Sequence, residues 1–148
     1  MTASLLNGNW TYRSFRNIPD MVGDDPNKAL ALIFGQGTLS LNVTDETTLR
    51  GVLDFGDFGG DAEMDLFGTI IAGSAIMPAV LIVTGTGREG TSTAKWVYQY
   101  LGYVVPNWPQ GVSQVPAIVG TVVRTIPHGS DHPAGVAASF VIVKQPSI

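Results

Sequence analysis

The stretch Thr93-Ala-Lys-Trp-Val-Tyr-Gln-Tyr-Leu-Gly-Tyr-Val104 decides the fold class. It is rich in aromatic residues and valine, and it repeats with a period of two. Trp96, Tyr98 and Tyr100 fall on one face; Val97, Gln99 and Leu101 fall on the other. A strand with apolar residues on both faces must be covered on both faces. Outward from this stretch, the same punctuation recurs along the chain. Short β-rich segments lie between 18 glycines and 9 prolines in 148 residues. The reading predicts eight strands: 8–16, 30–43 with a bend at Gly35-Gln36-Gly37, 47–55, 64–72, 79–85, 93–104, 117–126 and 136–144.

The alternation is clear in several of them. Leu39, Leu41 and Val43 oppose Thr38, Ser40 and Asn42, and Leu49, Leu53 and Phe55 oppose Arg50 and Asp54. Segments 117–123 and 140–143 are apolar on both faces. Leu30, Leu32 and Phe34 alternate, which favours a strand over a helical turn in 27–34. Ser4-Leu5-Leu6 suits a short helical lead-in, and 21–27 reads as a loop. The expected fold is all-β, a single domain over residues 1–148. It is an antiparallel up-and-down barrel of about eight strands, with a two-sheet sandwich or jelly roll as the alternative. Closure removes exposed strand edges, and an eight-stranded interior holds packed side chains or one small ligand.

Composition narrows the function classes. Charged residues make up 14% and hydrophobic residues 45%, with a mean hydropathy of +0.22, which fits a chain that buries a core. So little charge, together with the two-faced apolar strands, points to a homo-oligomer. Eight basic against twelve acidic residues do not fit a nucleic-acid binder. The absence of cysteine excludes disulfides, thiolate metal sites and cysteine nucleophiles. No signal-peptide pattern opens the chain and no apolar run reaches the ~18 residues of a spanning helix, so the expectation is a soluble, cytoplasmic protein with no membrane partner.

Four motifs invite chemistry and receive plainer readings. Gly85-Thr-Gly-Arg-Glu-Gly90 matches a dinucleotide fingerprint, but β-formers follow where a helix should start, so it reads as a hairpin turn. Asp54, Asp57, Asp61, Glu63 and Asp65 crowd one stretch without EF-hand spacing and read as a solvated acidic loop. His128 and His132, the only histidines, flank Asp131 in a Pro- and Gly-bounded turn; a facial metal triad or acid–base chemistry is the sharper alternative to an exposed loop. No G-x-S-x-G motif accompanies His128 and Asp131, so a hydrolase triad has no nucleophile. No metal and no cofactor is expected.

Gly8-Asn9-Trp10 on the first strand resembles the G-x-W that opens calycins, the lipocalin and avidin type of barrel. The resemblance implies a tryptophan plugging the closed end of the barrel, with a late basic residue, Arg124 or Lys144, packed across it. The lipocalin T-D-Y motif and the tryptophan pattern of avidins are missing, so no ligand is implied.

The reading that results is a calycin-like barrel binding a small, mainly apolar molecule. Its candidate ligand-binding residues are Trp10, Tyr12, Trp96, Tyr98, Tyr100, Trp108 and Arg124. The aromatic rings would supply apolar walls with polar handles. Trp108, between Asn107 and Pro109, would be a lid over the mouth or an interface anchor. Two other classes compete. One is a barrel enzyme acting on a small hydrophobic metabolite, with Tyr98, Tyr100, Arg124 or His128 as acid–base or electrostatic groups. The other is an oligomeric assembly module without a ligand.

Overall fold

The computed structural model describes residues 3–56, 61–105 and 115–146. The period-two segments form β1 (Gly8–Arg16), β2 (Ile33–Val43), β3 (Thr48–Asp54), β4 (Glu63–Ile71), β5 (Val80–Gly87), β6 (Val97–Val105), β7 (Ala117–Arg124) and β8 (Ala137–Lys144). Each strand pairs antiparallel with the next. β8 returns to β1 from Trp10↔Lys144 to Arg16↔Ala138, so the sheet is a closed eight-stranded barrel rather than two packed sheets. No helix among the described residues is long and apolar enough to cross a membrane.

Alternation in sequence becomes inside and outside. In β4, Met64, Leu66, Gly68 and Ile70 are buried while Asp65, Phe67, Thr69 and Ile71 face outward. Tyr98 and Tyr100 turn inward on β6, and Leu101 faces out. Midway along the lumen Tyr12, Tyr100 and Phe140 meet, with centroids 6.0–6.3 Å apart. Gly102 makes room for them: a Cβ there would lie 2.9 Å from Ile118 Cγ2 and 3.0 Å from Phe140 Cζ.

The outer face of β4 to β8 is uncharged over two rows. Ile71, Val80, Tyr103, Val119 and Val141 align in register across five strands. Thr69, Ile82, Leu101, Thr121 and Ser139 form the adjacent row. Leu101 is 49% exposed and Tyr103 is 44% exposed, so this apolar surface faces solvent in the single chain.

Most strand ends fall within two residues of the sequence reading, and three differences go further. The strand expected from Leu30 starts at Ile33, because Pro26–Ala31 forms a 3-10 turn. Pro26 cannot donate to a ladder, and the Asp25 carboxylate accepts from the Asn27 N–H at 3.0 Å, which starts the turn. Leu30 is left exposed. The loop expected at 21–27 is preceded by one helical turn, α1 (Pro19–Val22), which also begins with a proline and ends at Gly23. The strand expected from Thr93 starts at Val97. Thr93 instead turns inward, fully buried, and its hydroxyl bonds to the Glu63 carbonyl and to Thr91 Oγ1.

Candidate functional site at the barrel mouth

One end of the barrel is sealed. The turn Ala3–Leu6 crosses it, and Trp10 lies fully buried beneath, its indole N–H donating to the Leu6 carbonyl at 3.0 Å. Lys144 donates to the Leu5 carbonyl at 2.5 Å and its ammonium sits 5.7 Å from the indole centroid. Of the two basic residues considered for this place, Lys144 holds it. Arg124 lies at the other end.

That other end is the mouth. A bulge in β2 builds one wall: Ser14 pairs with Gly35 and Phe15 with Ile33, leaving Phe34 as the extra residue. The ring of Phe34 packs edge-on to Tyr98 at 6.2 Å. Arg124, the last residue of β7, faces inward and is only 5% exposed. Its guanidinium lies 5.7 Å from the centroids of both Phe34 and Tyr98. Its Nε–H donates to the Tyr98 hydroxyl at 3.0 Å, and Nη1 donates to the Pro133 carbonyl at 3.1 Å. Among the described residues it has no carboxylate partner; the ion pairs there join Arg88 to Glu63 and Asp65.

The loop from Thr125 to Val136 folds back over this edge. Its two ends are tied by Arg124 N–H to the Val136 carbonyl and Gly135 N–H to the Arg124 carbonyl. His128 N–H donates to the His132 carbonyl, closing the turn that contains Gly129 at φ +76°. The His128 ring stacks on Trp96 at 4.2 Å and on His132 at 4.8 Å. Its Nε2 lies 2.9 Å from the Tyr98 hydroxyl. Burial, then the positive charge of Arg124 and of His132, lower the His128 pKa from its ordinary 6.5. A neutral ring with an unprotonated Nε2 can accept the Tyr98 proton while Arg124 donates to the same oxygen. The Tyr98 hydroxyl is thereby held between a fixed cation and a base.

These groups enclose a cavity of about 200 Å³ lined by rings from Tyr12, Phe34, Phe55, Trp96, Tyr98 and Tyr100, and by Ser14, Arg16, Arg124, His128 and His132. Among the described residues no carboxylate lines it. Beneath the Tyr12–Tyr100–Phe140 layer is a second, apolar void of about 30 Å³, about one water's share of liquid volume. That layer is buried, and its burial pushes the Tyr12 phenol up to about 12 and raises that of Tyr100 as well.

Of the residues singled out from the sequence, the structure brings Tyr12, Trp96, Tyr98, Tyr100 and Arg124 to this one cavity. Trp10 lines neither space; it belongs to the sealed end. Trp108 lies outside the described residues. The lumen near the mouth is also less apolar than expected, because both histidines and two arginines border it. Phe34 was legible only as a strand residue, since the bulge that aims it depends on how β1 and β2 pair. Two residues of the acidic stretch serve elsewhere: Arg88 bridges Glu63 and Asp65, and its hydrogen bond holds the Asp65 carboxyl below the usual range; Asp57 lies outside the described residues. The Gly85–Gly90 segment is the β5–β6 hairpin, followed by a strand.

The chain matches no protein-family model, no curated protein and no solved structure.

Proposed function

We propose that the protein binds a small molecule in the mouth of a calycin-type barrel, with an apolar part of the ligand against the aromatic walls. One observation carries this reading: a 200 Å³ ring-lined cavity stands open at one end of a barrel whose other end is sealed by Trp10 and Lys144. Concave, aromatic-walled sites with a few converging polar groups are where small ligands bind. The sealed end supports the calycin comparison, since a plugging tryptophan under a late basic residue is what that resemblance implies. The test is titration of an apolar fluorescent probe against wild type and Tyr98→Ala, read by tryptophan quenching. Trp96 borders the cavity and should report occupancy. Equal, negligible binding by both proteins rejects the site.

A second reading is catalysis at the same place. The Tyr98 hydroxyl, 3.0 Å from Arg124 Nε and 2.9 Å from His128 Nε2, is positioned to transfer a proton. A ligand that binds Tyr98→Phe as well as wild type, but turns over only on wild type, would favour it. For the outer face we propose a second copy of the chain as occupant. Its two aligned rows hold ten residues and none is charged, so they can meet their own symmetry mate without burying a charge.

A further inference from the structure

We infer that the mouth selects a compact carboxylate: a singly charged anion carried on an aromatic or short aliphatic body. The inference rests on the reading of the mouth as a binding site and adds the chemistry of its occupant.

The first observation is an imbalance of charge. The chain as a whole is acidic, twelve carboxylates against eight basic residues. The cavity reverses this: among the described residues Arg16, Arg124, His128 and His132 border it and no aspartate or glutamate does, Asp131 standing only on the adjoining recess that Arg16, Arg124 and His132 also line. The second is the state of Arg124. A buried guanidinium is costly unless paired. Here Nε and Nη1 are occupied by neutral acceptors, the Tyr98 hydroxyl and the Pro133 carbonyl. Nη2 makes no hydrogen bond to any described residue, and the residue as a whole is 5% exposed. The protein therefore solvates the cation through Nε and Nη1, and Arg124 lines the cavity with its charge unpaired among the described residues.

A carboxylate fits that fork better than a larger anion. It presents two coplanar oxygens to guanidinium N–H donors. One buried guanidinium offers one charge, whereas a phosphate dianion asks for more, and no helix start or backbone nest contributes here. Volume sets the body. About 200 Å³ is the space of roughly six or seven waters, enough for one ring or a short chain. Phe34, Tyr98 and Trp96 wall the half of the cavity nearest Arg124, so the body lies against rings while the charge meets the arginine.

The test is calorimetric titration of the full chain at pH 7 with benzoate, its neutral isostere benzamide, and inorganic phosphate. Wild type should bind benzoate about tenfold or more tightly over benzamide, as a charge-assisted pair in a sheltered site requires. Arg124→Gln should abolish the preference and leave benzamide affinity nearly unchanged. Should Arg124→Gln fail to fold by circular dichroism, Arg16→Gln, at an exposed position, should weaken benzoate and not benzamide. Equal affinity of wild type for benzoate and benzamide overturns the carboxylate assignment while leaving the binding site standing. Tighter binding of phosphate than of benzoate overturns it too. No binding of either aromatic compound overturns both the assignment and the binding reading.

Discussion

Tyr98→Phe removes one oxygen and keeps the ring, so it isolates the polar centre of the mouth. Two interactions disappear: Arg124 Nε–H to the hydroxyl at 3.0 Å, and the hydroxyl to His128 Nε2 at 2.9 Å. A hydrogen bond to a charged group is worth about 1.5–3 kcal/mol, and a neutral one about 0.5–1.5 kcal/mol. The second involves a ring that water reaches, so water replaces most of it. The first leaves a donor of a buried cation facing a phenyl edge. The net cost is about 2 kcal/mol, which for a domain of this size lowers the melting temperature by about 4–8 °C. Thermal unfolding followed by circular dichroism measures it, with Tyr103→Phe as the control. Tyr103 faces outward and is 44% exposed, and its change should be nearly neutral. Tyr98→Ala, which also empties the ring's volume, should cost more, about 3–5 kcal/mol in all. If Tyr98→Phe melts within about 1 °C of wild type, the hydroxyl is not what holds Arg124, and the polar centre described here is wrong.

Three further outcomes follow from other parts of the barrel. Light scattering at micromolar concentration should give a mass above 15.6 kDa, and Leu101→Lys with Tyr103→Lys, on the uncharged outer rows, should return it to that value. Because the folded His128 pKa is lower than 6.5, the unfolded chain binds the proton first as pH falls; stability is full above 6.5, declines below it toward the folded pKa, and should decline less in His128→Gln when melting is followed from pH 8 to 5. Gly120→Ala should destabilise more than Gly102→Ala in denaturant titrations. The new Cβ at 120 meets the Leu101 carbonyl oxygen at 1.9 Å, which is backbone, whereas at 102 its two nearest neighbours are the side chains of Ile118 and Phe140, which can shift at a cost of about 1–3 kcal/mol, and the nearest backbone atom, the Val119 carbonyl oxygen, is 3.3 Å away.

Strand positions were legible because the period of two survives in the sequence wherever one face is buried. Leu39, Leu41 and Val43 alternate with Thr38, Ser40 and Asn42, and β2 runs through those residues with Leu39 and Leu41 buried. Closure was legible only as a count of strands, since β1 meets β8 across more than a hundred residues and nothing local encodes that pairing. Leu30 misled because alternation is a statement about side chains, while Asp25 and Pro26 act on the backbone; the capped turn took the segment despite the pattern. Arg124 was legible as an inward residue by parity with Ile118 and Val122. Its company was not. Pro133 and His128 reach it from a loop, and loop geometry follows from Gly129, Gly135 and the β7–β8 register together rather than from spacing. The partner of Trp10 was narrowed to two basic residues by the calycin resemblance. The β1–β8 pairing decides between them, placing Lys144 directly opposite Trp10.

Depth explains why three aromatics of equal parity play different parts. Same-face residues on a strand lie about 7 Å apart along its axis, so Tyr98 and Tyr100 on β6 step from wall to floor, and Trp96, one residue before the strand begins, stands at the rim. At the floor, Tyr100 meets Tyr12 and Phe140 in a layer whose burial pushes the two phenols above their ordinary pKa. At the wall, Tyr98 faces a guanidinium and an imidazole. At the rim, Trp96 is half-buried and stacks on His128. Polarity therefore rises along a single strand toward the opening. The floor also limits what can enter. With Gly85 and Gly102 yielding their side-chain space to Tyr100 and Phe140, the rings fill the lumen's waist and leave about 30 Å³ beneath. A ligand cannot pass below Tyr100 without displacing a packed aromatic layer. On the binding reading proposed above, it must be short, with its polar end where Arg124 and Tyr98 stand.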